Sequence, residues 1–193
     1  MDRGEDFLKA QINNAVMSHG LFCKALHEHE GQADDERFRA LCEKYIPPMR
    51  EHQRMLEEYQ KEIGADGLGG GLKKAMGAVL DVARDLADAT RESDFLRLVN
   101  DIVMSRQSED TFKTFREAGK QLGLAKLAQI GDMGEKGHDD FHREANRLVQ
   151  ALFIEHAQEG DGIARLRDAN TASPTTDDQS QRGSPASRRG VEL

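Results

Sequence analysis

Apolar residues recur three and four apart along this chain until about residue 160, and nowhere does a run alternate with the period of two that a half-buried strand requires. That pattern restricts the fold to helices packed on helices. The first helix is expected from about Glu5 to Glu30, with a stripe of Leu8, Ile12, Ala15, Val16, Phe22, Cys23 and Leu26. Asp34 and Asp35 then offer caps for a second helix, whose stripe is Phe38, Leu41, Cys42, Tyr45, Met49, Leu56, Tyr59 and Ile63. Pro47-Pro48 removes two backbone donors inside it and predicts a kink or short break. Beyond the glycine-rich 64–71 segment, a short helix is expected over about Leu72 to Ala89. A long one follows from about Ser93 to Leu122, stopped by Gly123, and a last long one runs from about Leu124 to His156. The glycine run is not a phosphate loop, because no strand precedes it and no Gly-Lys-Ser/Thr follows.

Composition narrows the class further. A net charge of −8 lacks the basic face that a nucleic-acid partner requires. No apolar run approaches the roughly 18 residues of a membrane span, and Met1-Asp2-Arg3-Gly4 does not open a signal peptide. The expected location is cytoplasmic. There Cys23 and Cys42 read as free buried thiols, with a disulfide left open. Residues 1–158 are read as one bundle domain. Residues 159–193, rich in Ser, Thr, Asp, Gly and Pro towards their end, are read as a disordered polar tail.

Polar residues interrupt the apolar stripes. His19 stands on the first, His52 on the second, Ser105, Arg106 and Glu109 on the fourth, and Glu135, His138 and His142 on the last, each near mid-helix. Glu135 and His138 share a face by their spacing. Imidazoles and a carboxylate converging between helices suit a divalent transition metal. The bland alternatives are satisfied core histidines and ion pairs, with Arg106 bonded to Glu109 or Glu135. His27-Glu28-His29-Glu30, at a helix end, reads as a solvated run. Gly131, Gly134 and Gly137, spaced by three, each weaken a helix by about 1 kcal/mol. They therefore call either for a closely packed neighbour or for a broken helix.

Three stretches resemble the ferritin-like bundles, most closely the small bacterial YciE/YciF-type stress proteins. They are 21–26 (LFCKAL), 52–59 (HQRMLEEY) and 114–123 (TFREAGKQLG), with the connecting helix around Met76-Gly77 falling where that family has an extra one. The resemblance implies an antiparallel four-helix bundle with a short extra helix between the second and third long helices, a stress-associated role and a possible homodimer. It also implies a di-metal centre, which this chain matches poorly. His19 stands at one expected glutamate, Met49 three before His52 at another, and Ser105 near a third, leaving Glu135 and His138 in pattern. The expectation is therefore a single ion (Fe, Mn or Zn) held by His19, His52, Glu135 and His138, in a protein to which no enzymatic reaction is assigned. The alternative is a metal-free helical scaffold. A haemerythrin-like reading of His138 and His142 fails because Leu56 occupies the position of the companion carboxylate.

Overall fold

The computed structural model describes residues 3–66 and 93–171. Among them are four long helices and no strand: α1 (Arg3–Gln32), α2 (Glu36–Glu62), α3 (Asp94–Leu122) and α4 (Ala125–Ala157). A shorter α5 covers Gly162–Thr171. The helix starts and stops follow local chemistry. The Asp35 carboxylate accepts from the backbone N–H groups of Arg37 and Phe38, and the Ser93 hydroxyl accepts from that of Leu96. Gly123 ends α3 with φ +69°, a left-handed conformation that glycine adopts without a Cβ clash. The short helix expected over Leu72 to Ala89 lies outside the described residues.

Two expectations are corrected. Of the kink or short break expected at Pro47-Pro48, the break does not occur, since α2 is continuous through both residues. The acceptors that lose their donors are the carbonyls of Glu43 and Lys44, both exposed residues, while Tyr45, Ile46 and Met49 on the inner face are fully packed. Burial of that face outweighs two missing hydrogen bonds on the outer one. The second correction concerns the tail, because residues 162–171, placed there because the apolar pattern fades from Gly160, are helical. They belong to a second compact unit that begins at Glu155.

Cross-helix contacts give the directions of the bundle helices. Asn13 and Gln60, Val16 and Gln53, and Cys23 and Met49 pair α1 antiparallel to α2. His29 with Asp101 and Gln32 with Arg97 pair it antiparallel to α3. Glu62 with Lys126 and Tyr45 with Glu144 set α2 antiparallel to α4. Gly119 against Ala128, Arg116 against Gly131 and Ser105 with His138 do the same for α3 and α4. Around the ring α1–α2–α4–α3 every neighbouring pair is therefore antiparallel, and α2 and α3 run the same way. The chain between Glu62 and Asp94 consequently joins opposite ends of the bundle.

The α4 glycines decide in favour of close packing, since α4 is unbroken. A Cβ at Gly131 would overlap the α3 backbone at Arg116, one at Gly134 the ring of Phe112, and one at Gly137 the ring of His52. The apolar interior falls into two clusters. One contains Phe22, Met49, Leu98 and Phe141; the other contains Ile12, Leu56, Phe112 and Ile130. Each long helix contributes to both, and each changes cluster at a polar residue.

Candidate metal centre

The residues at that boundary are His19 of α1, His52 of α2, Ser105 of α3 and His138 of α4, all buried. One ring nitrogen from each histidine lies within 4.8 Å of those of the other two. The ring centroids of His19 and His138 are 5.3 Å apart, those of His19 and His52 6.2 Å, and those of His52 and His138 6.1 Å. Three buried histidines from three helices thus form a group that could hold a metal ion. With bonds of about 2.0 Å, an ion would space its nitrogens roughly 3.5 Å apart, so closing on it calls for ring movements on the order of an ångström.

Hydrogen bonding orients two of the rings. Gln53 Nε2 donates to Val16 O at 3.0 Å and to Glu57 Oε1 at 2.8 Å, which leaves Oε1 of the amide as an acceptor. His19 Nδ1 lies 3.0 Å from that oxygen and must therefore carry the proton. Its Nε2 is left with a bare lone pair, and it has no partner among the described residues. His138 has Nδ1 2.7 Å from Ser105 Oγ, a hydroxyl that can accept or donate, and Nε2 buried without a partner. Nδ1 of His52 is likewise buried and unpartnered. Buried polar atoms in folded proteins nearly always have partners, so three such nitrogens in one layer require a reason. An outer nitrogen tied to a fixed acceptor while the inner one stays free is the arrangement that prepares a histidine for a metal.

The electrostatics agree. Burial pushes His19 down to about 4, aided by His52 and opposed by the Gln53 hydrogen bond. Burial likewise takes His52 down to about 4, against the pull of Glu51. His138 is held well below the usual imidazole range by burial and then by His19, His52 and His142. All three are neutral at pH 7, the form that ligates. The surroundings are aromatic. Phe112 stacks on His138 at 5.5 Å and meets His19 edge-on at 5.3 Å, while Phe22 lies 5.4 Å from His138. Cys23 does not join the group: its Sγ donates to Met49 O at 3.4 Å and lies 3.6 Å from His19 Nδ1, and burial raises its thiol to about 12.

Of the four residues expected at the site, the structure brings together His19, His52 and His138 and leaves Glu135 apart. The Glu135 carboxylate pairs with Arg116, across the close α3–α4 contact that Gly131 permits. Arg106 pairs with Glu109 at 2.9 Å on the surface side and does not enter the histidine layer. His142 is one turn beyond the layer, 2.5 Å from Glu109 Oε2 and 3.3 Å from Ile102 O. His27 is solvated and paired with Glu30, as expected for its tract. His29 is not; it is buried and bonds Asp101, which is wholly buried, at 2.9 Å.

Sequence reading alone gave no role to Gln53 and did not connect Gly137 to His52. The glycine is what admits the ring, since a Cβ there would come 3.1 Å from His52 Nε2 and closer still to Cε1. Its place between Glu135 and His138 in a glycine triplet was the available signal. For Gln53 there was none. Both cysteines are free, and no helix among the described residues is long and apolar enough to cross a membrane. Comparison with family models, characterised proteins and solved structures finds no match for the chain.

Proposed function

We propose that this chain is a ferritin-like, stress-associated bundle whose centre binds one transition-metal ion through His19, His52 and His138. The observation that carries the reading is the set of three unpartnered ring nitrogens, one of them with its tautomer fixed outward by Gln53. The ferritin-like part is supported by helix direction, since α2 and α3 run the same way and one long connection joins opposite ends, as in bundles with a single crossover. A second copy as partner belongs to the same proposal and rests on the resemblance alone. Glu135 is left out of the ligand set because Arg116 already neutralises it.

A di-iron centre does not fit these residues. Bridging two ions takes carboxylates, and among the described residues none joins the histidine group. The scaffold alternative is favoured by one feature, the pairing of Arg106 with Glu109 and of Arg116 with Glu135, which satisfies those charges without any ion. It offers no account of the three free nitrogens.

Thermal unfolding of untagged apo-protein with Zn(II), Fe(II), Mn(II) or Cu(I) separates the two. An ion at 100 times its Kd stabilises the fold by about 2.7 kcal/mol. For a chain of this length that raises Tm by roughly 5–10 °C. The expected result is such a rise with at least one ion, absent in His19→Ala. No rise with any of the four, or an equal rise in His19→Ala, favours the scaffold.

A further inference from the structure

We infer that the ion this histidine layer selects is monovalent, Cu(I), in preference to the divalent ions first expected at such a site. The inference rests on the proposed metal site and goes beyond it by fixing the charge and softness of the occupant.

The first ground is charge. Imidazole ligates in its neutral form, and the group of His19, His52 and His138 includes no carboxylate or thiolate, so a bound ion keeps its full charge inside the bundle. The carboxylates adjacent in sequence are engaged elsewhere, Glu51 with Arg54 and Asp139 with Arg143, and so are Glu135 with Arg116 and Glu109 with His142 and Arg106. The cost of burying an ion in a low-dielectric interior grows with the square of its charge, so a divalent ion pays about four times what a monovalent one does. Zn(II), Fe(II) and Mn(II) ordinarily meet that cost with an anionic ligand or a bound hydroxide. Here the space beside the nitrogens is lined by the rings of Phe22 and Phe112, both fully buried. Neither ring stabilises a hydroxide, while aromatic faces do tolerate a cation.

The second ground is ligand number and type. Three imidazoles satisfy Cu(I), a d10 ion content with low coordination numbers, and imidazole is among the donors that copper accepts. Three-nitrogen coordination leaves Fe(II) and Mn(II), which prefer harder oxygen donors, underliganded.

The test is anaerobic competition. Apo-protein is titrated against the Cu(I)–bicinchoninate complex and, separately, against a chromophoric Zn(II) chelator, with wild type, Cys23→Ser and His19→Ala compared in parallel. The expected result is about one equivalent of Cu(I) withdrawn by wild type and by Cys23→Ser, held at least about 100-fold more tightly than Zn(II), and lost in His19→Ala. Copper X-ray absorption of the wild-type complex then shows nitrogen scatterers and no sulfur, a readout that does not depend on any variant folding. Zn(II) held as tightly as Cu(I) overturns the inference and leaves the metal site standing. Copper bound through sulfur, or kept by His19→Ala, also overturns it. Failure of Cu(I) to leave its chelator overturns the inference, while the site itself stands or falls on the four-ion unfolding test.

Discussion

Replacing Gly137 by alanine puts the coupling between backbone and site to a quantitative test. The new methyl would overlap His52 Cε1 and lie 3.1 Å from Nε2 and 3.4 Å from Nδ1. The ring has little room to retreat, because Phe112 lies 5.8 Å from it by centroid and His19 and His138 occupy the inner side. Overpacking of this kind costs about 1–3 kcal/mol, while alanine in place of glycine within a helix returns about 1 kcal/mol. The net expectation for Gly137→Ala is a loss of roughly 0–2 kcal/mol, too small alone to prove the point. The double-mutant cycle is decisive. In a His52→Ala background the obstruction is gone, so Gly137→Ala should stabilise by about 1 kcal/mol. Urea denaturation of the four proteins then gives a coupling energy of about 1–3 kcal/mol. Metal affinity of the single variant should fall by about 10–100-fold, because His52 is pushed off its position. If Gly137→Ala stabilises both backgrounds equally and leaves metal affinity unchanged, the contact between Gly137 and His52 is not what positions that ring.

Other outcomes follow from the same geometry. Gln53→Leu removes the acceptor that fixes His19, and should cost about 10–100-fold in metal affinity while helix content by circular dichroism is kept. The apo-protein should lose stability in acid. His19 and His52 titrate near 4 when folded and near 6.5 when unfolded, so the unfolded chain takes up protons first. Stability is then full above about pH 6.5 and declines as pH falls towards 4, by on the order of 3 kcal/mol for each residue. Denaturation midpoints measured from pH 7 to pH 4 should fall across that window; a flat profile would mean that these rings are not buried neutral. Gly131→Ala, whose methyl would strike the α3 backbone at Arg116 and Phe112, should destabilise more than Gly137→Ala, because a backbone cannot swing aside as a side chain can.

Much of this fold could be read in the residues, and the parts that could not share a physical reason. Periodicity located four long helices, and Asp35, Ser93 and Gly123 marked ends correctly, because capping is a local property of the chain. Pro47-Pro48 misled, since whether a helix survives two missing donors depends on burial of the opposite face, where Tyr45, Ile46 and Met49 pack. At the site, the interruptions of the apolar stripes by His19, His52 and His138 pointed to the right layer. Glu135 shared a helix face with His138, yet its carboxylate turns to Arg116, a partner supplied by a neighbouring helix that spacing along α4 does not reveal. Gln53 faces α1 while His52 faces the interior, two directions about 100° apart on one helix. Which neighbour waits in each direction is a property of the assembled bundle. His29 shows the same limit, since only Asp101 of α3 turns it from a solvated histidine into a buried one.

The most direct measurement is the metal stoichiometry of the untagged full-length chain after exposure to each candidate ion and exhaustive removal of what is loosely bound. A three-histidine centre predicts about one ion per chain in the wild type and almost none in His19→Ala or His138→Ala, with both variants still helical. Equal metal content in all three proteins, or none in the wild type with every ion tried, would contradict it.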